Sequence, residues 1–258
     1  MNKPKVFISH ITEEQQLAND LKIFIEDTFL GLIDVFVSST QDSISVGERW
    51  LDKVTDALNE SIVEIVICSH LSIKRPWINF EAGAGWIRNI PVIPFCHSGM
   101  TLTQLPTPLN MLQGAIANEP SSIEKIVRIL AESIGARVIE PNISEFITKV
   151  KSFEEHYTFW DLCNSNLESL NNHFNNELIT ELKSHPQQVI KLFLTETELN
   201  FVKKIMEFLT SHDILKLEQT GSMAAMAKGM TYQCFLIPMN QMEEILDSPN
   251  LKMGTSIQ

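Results

Sequence analysis

Apolar runs alternate with segments of helical periodicity over the first half of the chain. Four runs rich in Val, Ile and Phe resemble strands buried on both faces: Lys5–Ser9, Leu32–Ser38, Ile62–Ser69 and Ile90–Phe95. Four segments have helical character: Glu13–Phe29, Glu48–Asn59, Trp77–Arg88 and Ser121–Ile134. Strands that alternate with helices at this spacing predict βαβ units, an α/β fold and a parallel sheet. We place the end of this domain near residue 138.

Residues 139–258 have a different pattern and predict a small, mainly helical domain. Asn142–Ser184 has helical character, His185-Pro186 interrupts it, and Thr195 opens a helix that runs to about Ser211. Further along, Ile214–Glu218 and Tyr232–Ile237 are expected to pair as a hairpin across a long loop. Two helices followed by a hairpin resemble a winged-helix arrangement in element order, which makes a regulatory or recognition domain the expectation.

The last helix of the first domain is expected to have clear ends. Ser121 or Ser122 is the predicted N-cap, because a serine hydroxyl can accept a bond from a free N–H of the first turn. Gly135 follows the last apolar position, where glycine commonly ends a helix.

Charge and cysteine content narrow the classes of function. Residues 1–140 contain 11 Lys and Arg against 17 Asp and Glu, and the remainder contains 9 against 15, so each half carries a charge of −6. Such a balance argues against strong non-specific binding to nucleic acid and makes a DNA-binding regulator a weak alternative. The four cysteines form no Cys-x-x-Cys pair, which indicates neither a zinc site nor a dithiol redox site.

No targeting or membrane segment is expected. Residues 1–10 lack the apolar region of a signal peptide, and no apolar run approaches 18 residues. The expected location is the cytoplasm, with no membrane partner.

The segment from Trp77 to Trp86 contains the strongest candidate for chemistry. If it is helical, Trp77 and Glu81 are one turn apart and share a face. It follows the apolar run Ile62–Ser69, so this face is expected beyond the carboxyl end of a parallel strand, where open α/β sheets bind ligands. A carboxylate beside an aromatic wall suits chemistry on a sugar that carries a cationic leaving group.

Three blocks in order make residues 4–135 resemble a Toll/interleukin-1 receptor (TIR) domain of the bacterial, enzymatic kind. The first block is Val6–His10, followed by Glu13-Glu14. The second is Val35–Ser38, followed by a polar loop that ends in Ser45-Val46-Gly47 and then by Trp50. The third is Ser69, followed by Trp77-x-x-x-Glu81. Two positions depart from the family pattern. Val46 stands where proline is frequent, and Glu14 stands where aspartate is common.

The resemblance implies a flavodoxin-like sheet with helices on both faces and cleavage of NAD+ at the nicotinamide–ribose bond. Glu81 is then the catalytic residue, and the expected substrate contacts are Phe7, Ser9, His10, Ser38, Gly47, Trp50 and Trp77. No metal and no resident cofactor is expected, because NAD+ is the substrate. The resemblance also implies an antiphage immune effector that is activated when TIR domains self-associate, with an unknown activating ligand or protein at residues 139–258.

The residue types suit this reaction. Loss of neutral nicotinamide leaves positive charge on the ribose, as in other oxocarbenium-like transition states. At an effective dielectric constant near 20, a charge pair about 4 Å apart is stabilised by roughly 4 kcal/mol, which is about three orders of magnitude in rate. The sequence Gly83-Ala84-Gly85 does not complete a Gly-x-Gly-x-x-Gly fingerprint, which favours cleavage of NAD+ over hydride transfer.

Two other functions stay open at this point. The first is a non-catalytic TIR scaffold, in which Glu81 is an ordinary helix carboxylate and Trp77 a packing residue. The second is a nucleoside or nucleotide transferase that uses the same carboxylate at the ribose. The sequence also leaves open whether the product is linear or cyclic ADP-ribose.

Overall fold

The chain forms two compact units, residues 1–157 and residues 158–258. The computed structural model describes residues 3–38, 50–137, 141–226 and 229–252, except for the side chains of Trp50 and Leu51. Among these residues, no helix combines the length and apolar composition that crossing a membrane would require.

The first unit is built on a five-stranded parallel sheet. Its strands are β1 (Lys5–Ser9), β2 (Asp34–Val37), β3 (Ser61–Cys68), β4 (Val92–Cys96) and β5 (Ala115–Ile116). Their spatial order is β2-β1-β3-β4-β5, the flavodoxin-like arrangement. The predicted parallel α/β fold is therefore confirmed. Strand β5 was not predicted, because two residues are too few to show a period.

Helices cover both faces of this sheet. They are α1 (Gln15–Thr28), α2 (Trp50–Glu60), α3 (Pro76–Ile87), α4 (Pro120–Ile134) and the first half of α5 (Ile143–His173). Side chains alternate along each strand, so Val6 and Ile8 pack with α1 and α4, whereas Phe7 packs with α2. The face that Phe7 shares is the one that carries the candidate site.

The predicted N-cap of α4 was wrong by two or three positions. Pro120 is the first helical residue and Glu119 takes the N-cap position, so neither Ser121 nor Ser122 is the cap. Proline suits this place because its missing N–H belongs to the first turn, where N–H groups have no partner within the helix. Gly135 ends the helix with φ of 66°, as predicted.

The first unit continues past the predicted boundary at residue 138 because α5 supplies part of its core. Four α5 side chains lie in the main core cluster: Phe146, Ile147, Val150 and Phe153. The Glu154 carboxylate also accepts bonds from the Ser98 backbone N–H and the Asn118 side-chain amide, both at 2.8 Å. These contacts tie α5 to the loops after β4 and β5.

The second unit combines helices with a three-stranded antiparallel sheet. After α5 it contains α6 (Leu178–Ser184), β6 (Ile190–Leu194), α7 (Glu196–Ser211), β7 (Leu215–Met226), β8 (Gly229–Pro238) and α8 (Met242–Asp247). The strand order is β6-β8-β7. Thr195 caps α7 with Glu198 in a capping box, so the predicted helix start is confirmed.

Two features of the second unit differ from expectation. The predicted long loop within the hairpin is largely strand, because β7 continues to Met226 with a register shift between Gln219 and Met223. Strand β6 was missed, although Ile190, Leu192 and Leu194 alternate at the period of a strand. Since β6 separates α6 from α7, the element order differs from helix, helix, hairpin.

A polypeptide ending at residue 157 should fold, whereas one ending at residue 138 should be largely unfolded. Loss of Phe146, Val150 and Phe153 removes three buried side chains, or roughly 5–9 kcal/mol at about 1.5–3 kcal/mol each. This loss is comparable to the whole stability of a typical domain, about 5–15 kcal/mol. Thermal melts followed by circular dichroism would measure it.

The control for this experiment is Lys151→Ala in the longer polypeptide, because Lys151 is an exposed residue of α5. It should leave the melting temperature nearly unchanged. Equal melting temperatures for the two polypeptides would contradict the assignment of α5 to the first core.

Candidate active site

The site is at the carboxyl edge of the sheet, where β1 ends at Ser9 and β2 ends just before Ser38. Helix α3 runs beside this edge and carries Trp77 and Glu81. The structure therefore brings together Ser9, Trp77 and Glu81, which are far apart in sequence.

The carboxylate of Glu81 is fully buried and each of its oxygens accepts one hydrogen bond. The Ser9 hydroxyl donates to Oε2 at 2.5 Å, and the Trp77 indole N–H donates to Oε1 at 2.7 Å. The second bond spans one helical turn, as the i, i+4 spacing predicted. The ring of Trp77 also stacks on Phe80, with centroids 5.2 Å apart.

Burial raises the pKa of Glu81 to about 7, and the hydrogen bonds from Ser9 and Trp77 oppose this rise. Removing a carboxylate from water disfavours its charged form, whereas donors directed at it favour that form. Glu81 therefore changes charge near neutral pH, which suits a group that must be ionised to act and accept a proton afterwards.

A second buried carboxyl, Glu64, lies beneath α3 and was missed by the sequence analysis. Its strand β3 pairs with β1 so that Glu64 is the register partner of Phe7, and both side chains therefore point to the same face. Neither carboxyl oxygen has a hydrogen-bond partner among the described residues. Burial and, to a smaller extent, the charge of Glu81 raise the pKa of Glu64 to about 9, and Arg88 opposes this rise. The only signal in the sequence was a lone glutamate in an otherwise apolar run.

His10 and Ser38 form a separate buried pair at this edge. The backbone N–H of His10 donates to the Ser38 hydroxyl oxygen at 3.3 Å, and the His10 ring nitrogen Nδ1 is 3.4 Å from the same oxygen. Burial lowers the pKa of His10 to about 4, although Glu14 opposes this. The imidazole is therefore neutral at physiological pH and can offer a hydrogen bond without charge.

The other predicted contact residues are placed differently or lie outside the described residues. Phe7 is fully buried, stacks on Phe36 and packs against α2, so its ring belongs to the core. Trp50 is the first residue of α2, but its side chain is not among those that the structure describes. Gly47 lies outside the described residues.

A polar cluster that sequence reasoning missed joins the ends of β3 and β4. One oxygen of Glu14 accepts a bond from the Ser69 hydroxyl at 2.7 Å and is 3.1 Å from Nε2 of His97. The Ser69 hydroxyl is also 2.9 Å from the Tyr157 hydroxyl of α5. Because Glu14 lies between the serine and the histidine, this is not the order of a nucleophile–base–acid triad. Its members instead tie α5 to the sheet edge.

No metal site is formed by the described parts of the chain, where no three His, Cys, Asp or Glu side chains converge as ligands. The polar groups at the edge include the Ser9 and Ser38 hydroxyls, the Trp77 indole, the His10 imidazole and the Glu81 carboxylate. Such groups can orient a sugar and stabilise a cation beside it.

Comparison with known families assigns this part of the chain. Residues 6–127 match the family model described as the TIR domain. The N-terminal unit is a TIR domain. The match includes Ser9, Glu64 and Glu81.

Two solved structures are similar to the chain at low levels. The TIR domain of the Toll-related receptor TRR-2 from Hydra magnipapillata is 19% identical with a TM-score of 0.40, covering 50% of this chain and 96% of that one. The TIR domains of the activated Roq1 resistosome, which directly recognises the pathogen effector XopQ, are 15% identical with a TM-score of 0.30, covering 60% and 82%. Both scores lie below 0.5 and neither structure bears on function. No curated protein matched the chain.

Replacing Ser9 with alanine should raise the pKa of Glu81, because the Ser9 hydroxyl stabilises the charged carboxylate. The Trp77 indole is bonded to the same carboxylate, so its fluorescence should report the titration. The measurement is the pH midpoint of the Trp77 fluorescence change. The signal of a Trp77→Phe variant, which comes from the other tryptophans, is subtracted.

Ser38→Ala is the matched control, because Ser38 contacts His10 and not Glu81. It should leave the midpoint in place. A midpoint that is unchanged or lower in Ser9→Ala would contradict the role given to the Ser9 bond.

Proposed function

We propose that this TIR domain is an NAD+ glycohydrolase that cleaves the nicotinamide–ribose bond, with Glu81 as the catalytic carboxylate. The observation that supports the proposal is the Glu81 carboxyl itself. It is buried at the carboxyl edge of the sheet, and it accepts hydrogen bonds from Ser9 and Trp77. Burial raises its pKa to about 7.

The reaction needs a charged carboxylate more than an acid. As the bond between C1′ and the pyridinium nitrogen breaks, its electron pair goes to nitrogen, so that nicotinamide leaves neutral and the cation remains on the ribose. The Glu81 carboxylate stabilises that cation and accepts bonds from the ribose hydroxyls. Water then attacks C1′ and passes a proton to Glu81, which yields ADP-ribose. Attack by an adenine nitrogen in place of water would give the cyclic product.

The substrate must replace the groups that now cover Glu81. Both carboxylate oxygens are occupied by donors, and the residue is fully buried. Ribose hydroxyls are also donors, so they can exchange with Ser9 and Trp77 without leaving the carboxylate unpaired. A resting site that is closed in this way fits an effector activated by self-association of TIR domains, with a trigger acting through the second unit.

Glu81→Gln should abolish nicotinamide release, with a loss of about three orders of magnitude, because the amide cannot supply the negative charge. The measurement is chromatography of the products formed from NAD+ by concentrated protein, which also separates linear from cyclic ADP-ribose. Glu145→Gln on the exposed surface of α5 is the control for loss of one negative charge. Full activity of a folded Glu81→Gln protein would refute the assignment.

The rate of NAD+ cleavage should increase with pH up to about 7 and then level off. Below the Glu81 pKa, the fraction of charged carboxylate changes about tenfold for each pH unit. In Ser9→Ala, the pH at which the rate levels off should be higher, and the pH midpoint of the Trp77 fluorescence change should increase with it. A rate that falls as pH increases from 5 to 7 would require a different ionisation at the site.

A non-catalytic scaffold is the second candidate, and one observation favours it. Three large apolar side chains of α3 are exposed, Phe80, Trp86 and Ile87, and such a surface commonly serves in protein association. The same product assay distinguishes the candidates when it is combined with sedimentation. Protein that self-associates and leaves NAD+ intact would favour the scaffold.

A further inference from the structure

The carboxyl group of Glu64 occupies space that a side chain at position 85 would need, and residue 85 is glycine. A Cβ atom at position 85 would lie 2.0 Å from Oε2 of Glu64 and 2.8 Å from Cγ2 of Val92. Both distances are shorter than real Cβ contacts. The backbone of α3 at Gly85 therefore forms the roof over the Glu64 carboxyl.

The same geometry brings Glu64 close to Glu81. Gly85 and Glu81 are four residues apart on α3, so they share the face of the helix that looks onto the sheet. The carboxyl that lies under Gly85 is therefore next to the turn that carries Glu81, and the charge of Glu81 acts on it. Two buried carboxyl groups thus lie under the same face of α3, one helical turn apart.

The described residues around Glu64 supply no hydrogen bond to its carboxyl. The residues facing this side of the sheet from α2 are apolar, namely Val54, Ala57 and Leu58. On the adjacent strands the register partners are Phe7 of β1 and Val92 of β4. The charged groups that act on Glu64 are Glu81 and Arg88, which follows α3. The Arg88 guanidinium lowers the pKa but directs its bonds to the carbonyl oxygens of Leu58 and Ser61.

The two carboxyl groups are therefore unequal. Glu81 receives two donors, whereas Glu64 receives none from the described residues. Like charges in one dry space cannot both be ionised at low cost, and the better-solvated member takes the charge. We propose that Glu64 is a positioning residue for Glu81: the buried pair holds one proton, Glu64 carries it, and the negative charge is thereby fixed on Glu81.

This arrangement defines a working range of pH. Between about 7 and about 9 the pair carries a single charge, and that charge is on Glu81. Above this range Glu64 also ionises, with Glu81 nearby and no donor among the described residues to stabilise its charge. The second charge forces α3 away from β3, and α3 carries both Glu81 and Trp77. The inference adds regulation by pH to the proposed function, but the state of the pair exists whether or not NAD+ is the substrate.

The first test follows the pair without substrate, in the full chain. Trp77 fluorescence should change in two steps in the wild type, with apparent pKa values near 7 and near 9 that belong to the pair. Glu64→Gln, which is nearly isosteric and permanently neutral, should retain the lower step and lose the upper one. Glu64→Met is a second variant without an ionisable group, for the case that Gln is not accommodated. An upper step that persists in a folded Glu64 variant would overturn the proposal.

The second test measures nicotinamide release across the same range. Activity of the wild type should fall at least about fivefold from pH 8 to pH 10, whereas that of Glu64→Gln should fall less than about twofold. At pH 8 the two proteins should agree within about threefold, because Gln mimics protonated Glu64. An equal alkaline fall in both would overturn the role of Glu64. If no protein releases nicotinamide while the fluorescence steps behave as stated, the proposed function fails and the carboxyl pair stands.

A steric test examines the geometry independently of charge. Gly85→Ala should lower the melting temperature, because its Cβ displaces the Glu64 carboxyl. The double variant Glu64→Ala/Gly85→Ala should recover part of the lost melting temperature, because the Glu64 carboxyl is no longer in the way. The rest of the loss should remain, because the new Cβ still lies too close to Val92. Gly83→Ala is the control, since a Cβ there would meet nothing within 4 Å. Absence of any recovery would show that Glu64 does not occupy the space under Gly85.

Discussion

The burial of negative charge under α3 is the constraint on which the site depends. A carboxylate removed from water is costly unless donors or a proton compensate for it. The structure uses both means: Ser9 and Trp77 donate to Glu81, and Glu64 has a pKa that keeps it protonated at neutral pH. The positions of β1, β3 and α3 relative to one another follow from the need to satisfy this group, as well as from apolar packing.

The polar groups of the sheet edge form two sets with different tasks. Glu81 and its donors lie toward α3, whereas Glu14, Ser69, His97 and Tyr157 join the ends of β3 and β4 to α5. The second set is fully engaged in protein contacts and stabilises the edge. In the proposed mechanism, the first set contains the groups that the substrate replaces.

The parts of the fold that the sequence predicted are those with a long or regular pattern. Strands β1 to β4 were recognisable as continuous apolar runs, and α7 was recognisable from its opening at Thr195 and the regular apolar positions that follow. Strand β5 has only two residues, and β7 contains polar and small residues beyond Gln219, so neither shows a regular apolar period. The packing of α5 into the first core depends on distant residues, and a local pattern cannot reveal it.

The site was predicted as far as spacing within one element allows. Trp77 and Glu81 could be paired in advance because a helix fixes their separation. The contact of Ser9 with Glu81 depends on tertiary structure across 72 residues, and the family resemblance supplied only the expectation that both matter. Glu64 could not be found this way, because its significance arises from the missing side chain of Gly85 on another element.

The close fit of Glu64 under Gly85 also limits how this chain can evolve. Any side chain gained at position 85 meets the Glu64 carboxyl before it meets anything else. Substitutions at the two positions are therefore non-additive, and their order matters. A lineage that shortens residue 64 first can then enlarge residue 85, whereas the reverse order passes through a strained intermediate. Descendants of this protein that keep the glutamate should therefore also keep the glycine.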